Sequence, residues 1–205
     1  QNDEPIADFY QFANQEWINS TVLPENCVVI NQAGILWNKI TDKSIEILTD
    51  SLTYGLDEEH FYALQQLRNF YKSTAETDGS TAKRIAEVQK NFPMTFGIIF
   101  SEITISPQKE AMIREIIKYL TLAYQQKIEN TSLVGNYYRE LFSNKLDHLK
   151  IGIGAPLLSE FPNIPSLSDT SYVENIKRAK SYQSEIAKVK TNWKTPYETD
   201  CYYYA

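Results

Sequence analysis

Apolar residues recur at three- and four-residue steps along most of this chain, and the longest such run lies between Ser106 and Pro156. Ile113, Ile116, Ile117, Leu120, Ala123, Tyr124 and Ile128 share one stripe of a helix that Ser106 caps and Pro107 opens. A second helix is predicted from near Thr131 to Gly152, with Val134, Tyr137, Tyr138, Leu141, Phe142, Leu146 and Leu149 inward. Gly152 serves there as the left-handed terminator. At 1.5 Å per residue each helix runs to roughly 30 Å. Both stripes are expected to be buried, with the rest of the chain packed on this pair.

The same periodicity organises what comes before it. Pro5, after Asp3 and Glu4, opens a helix over 5–20 with Ile6, Phe9, Phe12, Ala13 and Trp17 on one face. A helix over 31–52 turns Leu36, Ile40, Ile47 and Leu48 inward and stops near Gly55. Asp57 caps a third over 57–73, carrying Phe61, Leu64, Leu67 and Tyr71. The polar run TAETDGSTAK separates it from a short charged helix between Thr81 and Lys90. FPMTFGIIFSEI, bounded by Pro93 and Pro107, suits a buried helix or a strand, and periodicity does not arbitrate.

Beyond the central pair, LLSEFPNIPSLSD reads as a loop, after which Asp169 or Thr170 caps a helix with Tyr172, Val173, Ile176, Ile186 and Val189. Pro196 ends that helix, and Tyr202, Tyr203 and Tyr204 favour an extended chain. The fold class predicted is mainly α: a bundle-like array of six to seven helices in one domain over 1–205, with a short extended segment at the C-terminus. An internal boundary is expected near 75–92.

Composition supports a core and narrows the partners. Hydrophobic residues make up 42% of the chain and aromatics 13%. A formal charge of −6 without a basic run leaves nothing to neutralise phosphates, so neither nucleic acid nor an anionic membrane is an expected partner. No apolar window approaches the roughly 20 residues that span a bilayer, so no transmembrane segment is expected. Opening at Gln1 without a signal-like segment, the chain is compatible with a mature exported protein or with one trimmed for expression. Asn19-Ser20-Thr21 and Asn130-Thr131-Ser132 are glycosylation sequons, relevant if the chain is secreted by a eukaryote.

Candidate chemistry is sparse. Cys27 and Cys201, the only cysteines, are too far apart for a zinc-ribbon or redox spacing. They are either two separate thiols or one disulfide tying the start of the chain to its end, worth on the order of 4 kcal/mol. His60 and His148 are the only histidines, so no H-E-x-x-H helix exists; G-x-S-x-G and phosphate loops are absent too. His60 is read as a solvated first-turn residue and His148 as a partly exposed helical one. No catalytic residue, metal ligand or cofactor is assigned.

DFYQFANQEW at 8–17, LRNFYKS at 67–73, FPMTFGIIF and KLDHLKIGIGAP follow one another along the chain. Their order resembles the neprilysin and endothelin-converting-enzyme family of zinc metallopeptidases. Asp8, Phe9, Tyr10, Phe12, Asn14 and Trp17 match its opening motif, with Leu23-Pro24 following and Gln15 where a Gly is usual. LRNFYKS at 67–73, FPMTFGIIF and Met112 to Tyr124 resemble later helices of that family. KLDHLKIGIGAP aligns Lys145, Leu146, Ile151, Ile153, Gly154 and Pro156 with its K-L-x-x-I-x-x-x-I-G-Y-P motif. Tyr172, Asn175, Trp193, Pro196, Tyr202 and Tyr203 resemble the run into its substrate-holding strand. On this alignment most of the family's helical lid would be missing between Lys90 and Phe92. Asp200 and Cys201 would stand where the substrate-holding Asn-Ala pair belongs, and the zinc-binding region is not in the sequence.

The resemblance implies a non-catalytic relative, exported to the periplasm, cell surface or exterior, that keeps a helical frame as a peptide- or protein-binding module. Asp200, Cys201, Tyr202 and Tyr203 form its candidate substrate-strand remnant, and this Tyr-rich edge could add a partner strand. Two alternatives stand beside it: part of a split or truncated zinc peptidase whose catalytic helix another chain supplies, or an unrelated helical interaction domain.

Overall fold

A computed structural model describes residues 9–23, 29–77, 79–149 and 151–191. Among these it contains eight α-helices and two short 3-10 turns. They are α1 Phe9–Ser20, α2 Gln32–Thr49, α3 Glu58–Ser73, α4 Thr81–Asn91, α5 Pro93–Thr104, α6 Pro107–Asn130, α7 Asn136–Asp147 and α8 Tyr172–Thr191. The mainly α class is therefore observed, with one or two helices more than the pattern predicted. No strand occurs among the described residues, and the predicted extended tail over 192–205 lies outside them.

The chain divides into two units, Gln1–Lys43 and Ser44–Ala205. In the first, Asn31 caps α2 by accepting from the Gly34 amide at 2.7 Å. No residue of α1 is buried: Phe9 is 75% and Phe12 59% exposed, whereas Trp17 is half-buried. Leu36, expected inward, is also exposed. The inward face predicted for α1, and for Leu36 at the start of α2, is thus not enclosed among the described residues of this unit, which supply too little apolar surface to make an interior.

In the second unit the core is built from α3, α4, α5 and α8, closed at one end by the last turn of α2. Asp57 caps α3 as predicted, accepting from the His60 amide at 2.9 Å. Leu64, Leu67, Phe70 and Tyr71 turn inward from α3, and Ile47 and Leu48 reach them from α2. Phe70 stacks edge-on against Phe92 with ring centres 5.1 Å apart, and Phe92 lies 6.0 Å from Tyr182 of α8. FPMTFGIIFSEI resolves as a helix, α5, with Pro93 in its first turn and Met94, Phe96, Ile98 and Ile99 buried. A helix apolar nearly all round is stable only where neighbours cover several sides, and α3 and α4 supply them.

The predicted loop is a structural wall. Leu158, Phe161, Ile164 and Leu167 all point into the core. Leu158 opens a 3-10 turn over Leu158–Glu160 and Phe161 is extended, while Pro162 and Pro165 keep the chain beyond it from becoming helical. Side chains of α3 hold this backbone in place: Leu167 donates its amide to Gln66 Oε1 at 2.7 Å, and Asn69 Nδ2 donates to the Leu167 carbonyl at 3.2 Å. The residues 75–92, where a boundary was expected, lie within this unit, and α4 packs on both α3 and α5.

The central pair differs most from the pattern reading. α6 packs on α7, but neither helix contains a buried residue, and neither contributes to the core. Ser106 does cap α6, accepting from the Lys109 amide at 3.3 Å. α7, however, begins after Gly135 instead of near Thr131, and ends at Asp147 rather than Gly152. The left-handed glycine is Gly154, at φ +80, where the chain returns to the core beside Ser101 and Ile105. Pro156 is buried immediately after it.

Candidate functional site

Two constellations merit comparison. The first is a polar layer at the junction of α3, α4 and α8. Asn175, fully buried, donates from Nδ2 to Ser73 Oγ at 3.0 Å and to the Ser168 carbonyl at 2.6 Å, while its Oδ1 accepts from the Ser168 amide at 2.9 Å. The Tyr172 hydroxyl donates to Glu87 Oε2 at 2.7 Å, and the Tyr172 amide donates to Glu76 Oε2 at 3.2 Å. Burial, reinforced by the Glu87 hydrogen bond and charge, pushes the Tyr172 hydroxyl up to about 12. Arg84 donates to Thr74 Oγ1 and the Tyr71 carbonyl, both at 3.0 Å, with its guanidinium 4.3 Å from the Tyr71 ring centre. Asn175, Ser73 and Thr74 are buried and bonded to their neighbours, so the layer fastens three helices together.

The second constellation is the outside of the α6–α7 hairpin. Ile113, Ile117, Thr121, Gln125 and Ile128 are half-buried on α6, as are Arg139, Ser143 and Leu146 on α7; these two rows form the seam. Alongside the α6 row runs another apolar one that stays exposed: Met112 at 64%, Ile116 at 53%, Leu120 at 53% and Tyr124 at 62%. On α7, Tyr138, Leu141 and Phe142 continue the apolar face, with the Tyr138 and Phe142 rings 6.4 Å apart.

Two grooves flank α6. One, of about 310 Å³, is lined by Ile117, Leu120, Thr121, Tyr124, Leu146 and Leu149. The other, of about 320 Å³, is lined by Arg114, Ile117, Lys118, Thr121, Leu122, Ile151 and Ile153. Ile117 and Thr121 wall both, and the segment after α7 places Leu149 in one groove and Ile151 and Ile153 in the other. Gly154 fixes that segment: a Cβ there would sit 2.6 Å from Ser101 Oγ and 3.4 Å from Ile105 Cδ1.

The candidate residues assigned from sequence do not meet at this face. Asp200, Cys201, Tyr202 and Tyr203 lie outside the described residues, as do Cys27 and Asp8, so the disulfide and the Tyr-rich edge are not described structurally. His60 is less solvated than its acidic neighbourhood suggested, with 19% of its side chain exposed and Nδ1 2.8 Å from Asp57 Oδ1. His148 is exposed at the end of α7, its Nδ1 2.7 Å from the Asn144 carbonyl oxygen. Among the described residues no group of three His, Cys, Asp or Glu side chains is placed to hold a metal ion, and no helix is long and apolar enough to cross a membrane.

The pattern reading counts Ile116, Leu120, Tyr124, Tyr138, Leu141 and Phe142 as core and so gives no hint of this face. The available signal is width: apolar residues on α6 occupy two adjacent rows, more than one packing partner needs, and among the described residues α7 covers one of them. Comparison with protein-family models, with curated proteins and with solved structures finds no match.

Proposed function

We propose that this chain is a non-catalytic binding module that holds an apolar peptide or protein segment on the outer face of the α6–α7 hairpin. The observation that carries this reading is a long amphipathic helix with apolar positions at half to two-thirds exposure, beside two grooves of side-chain size. Contiguous apolar surface rimmed by polar residues is the usual mark of an interaction site. Each exposed tyrosine offers a large apolar body with a hydroxyl at its edge, which suits a surface that is wet when free and dry when occupied.

The order of the aromatic, LRNFYKS and IGIGAP motifs supports descent from the neprilysin-like peptidases and, with it, export. The sequence contains no H-E-x-x-H motif, and zinc hydrolysis needs a metal-bound water activated beside a general base. Binding without turnover is the corresponding activity. Selecting peptides from a displayed library against the purified chain, then following hydrogen exchange, tests the site: bound peptides should slow exchange over 112–149. Protection confined to the α3–α5 core, or zinc-dependent and chelator-sensitive cleavage of the selected peptides, would overturn the reading.

A further inference from the structure

The charges on the hairpin specify its partner more narrowly than its apolar residues do. On the exposed apolar rows of α6 the ionisable side chains are Lys109 and Lys127, seven residues before Ile116 and seven after Leu120. On α7, Lys145 stands seven residues beyond Tyr138 on the same row. The acids of the hairpin stand off these rows: Glu110 is bound by Arg114 at 2.5 Å, Glu115 and Glu129 lie seven residues before and after Leu122 on the row that lines the second groove, and Glu140 and Asp147 lie at other angles around α7. Lys118 adds a cation at the rim of the second groove. Lys118, Lys127 and Lys145 make no ion pair among the described residues. In a chain of net charge −6, the apolar row of Ile116 and Leu120, which has a lysine at each end, is a local reversal of sign.

We infer that the hairpin receives an acidic amphipathic helix, whose apolar stripe fills the groove lined by Leu120, Tyr124, Leu146 and Leu149 and whose flanking carboxylates meet Lys127 and Lys145. This rests on the proposed binding role and adds the partner's chemistry. Helix-in-groove recognition takes apolar anchors at three-, four- and seven-residue steps, and α6 presents its own row at that repeat. A second copy of this chain is disfavoured, because a symmetric contact would set the lysine-bordered rows against each other. A lipid surface is a poorer match, because two grooves divided by the segment that crosses α6 receive individual side chains rather than a flat interface. The negative charge elsewhere on the molecule acts weakly at the site, since screening at physiological salt confines interactions of exposed charges to about 8 Å.

Three helical probe peptides of about 20 residues, roughly 30 Å long, test this. They share one Leu/Phe stripe and differ only in flanking Glu, Gln or Lys. Titrated with the full chain and followed by fluorescence anisotropy, the Glu peptide should bind about tenfold more tightly than the Lys peptide, a gain on the scale of two or three exposed ion pairs. The gap should close as salt is raised about tenfold, and Lys127→Glu with Lys145→Glu should reverse the order. Equal binding of all three peptides would overturn the acidic partner while leaving the hairpin as the binding site. No binding, or binding unchanged by Ile116→Ser with Leu120→Ser, would overturn the site as well. Sedimentation with phosphatidylserine vesicles but no peptide binding would assign the face to lipid, and a concentration-dependent dimer lost in Leu120→Ser would assign it to a second copy. Either result overturns the inference.

Discussion

Gly154 is the residue on which the groove geometry turns. Its φ of +80 is a conformation that costs an L-residue about 1–2 kcal/mol, and any Cβ added there would collide with Ser101 Oγ. Gly154→Ala should therefore destabilise the fold by about 2–4 kcal/mol in urea denaturation. Adding Ser101→Gly should return the steric part and leave the backbone part; a wild-type midpoint for Gly154→Ala alone would show the turn is not held there. Tyr172 makes a prediction about pH. Burial first, then the Glu87 hydrogen bond and charge, raise its hydroxyl from 10.0 to about 12. Above pH 10 the unfolded chain gives up this proton while the folded chain keeps it, so stability must fall with rising pH. The contribution is complete below pH 10 and disappears through about pH 12. Wild-type stability should drop more steeply than that of Tyr172→Phe across this window, and parallel curves would contradict the assignment.

Among the helices, the same leucine has two values. Leu67 on α3 is fully buried, and Leu67→Ala should cost about 2–5 kcal/mol by removing its contacts and leaving a cavity. Leu120 on α6 is 53% exposed, and Leu120→Ser should shift stability by no more than about 0.5 kcal/mol while weakening peptide capture. Paired thermal melts check this, and a loss for Leu120→Ser rivalling that for Leu67→Ala would mean that the hairpin is part of the core. Helix existence was readable from spacing in every segment where an amphipathic period ran for three turns. The caps of α3 and α6 at Asp57 and Ser106 were readable as well, because a short oxygen-bearing side chain before an apolar period has few other uses. α5 was not decidable, since a segment apolar on all sides carries no phase.

At the level of the whole chain, periodicity says which side of a helix is apolar and is silent on whether anything covers it. Ile47 and Ile116 both sit on well-formed stripes, yet one is completely enclosed and the other 53% exposed. The deciding information is tertiary: α5 and the loop carrying Leu158, Phe161, Ile164 and Leu167 claim the neighbours that the central pair was expected to have. The charge pattern that marks the binding face becomes visible only once the seam between α6 and α7 is known, because the lysine rows acquire a side to belong to. The core itself was within reach of the sequence for α3 and the end of α2, whose inward leucines and isoleucines were correctly oriented.

One consequence concerns the order in which a ribosome delivers this protein. The amide that begins α8 is received by Glu76, 96 positions earlier, and Asn175 reaches back 102 positions to Ser73. α8 thus finds its starting turn already waiting in chain made long before, while α3 and α4 wait for their missing wall until α8 has been made. A nascent chain halted before Tyr172 would carry Phe70 and Phe92 with one flank bare, and would depend on chaperones or speed until translation resumed.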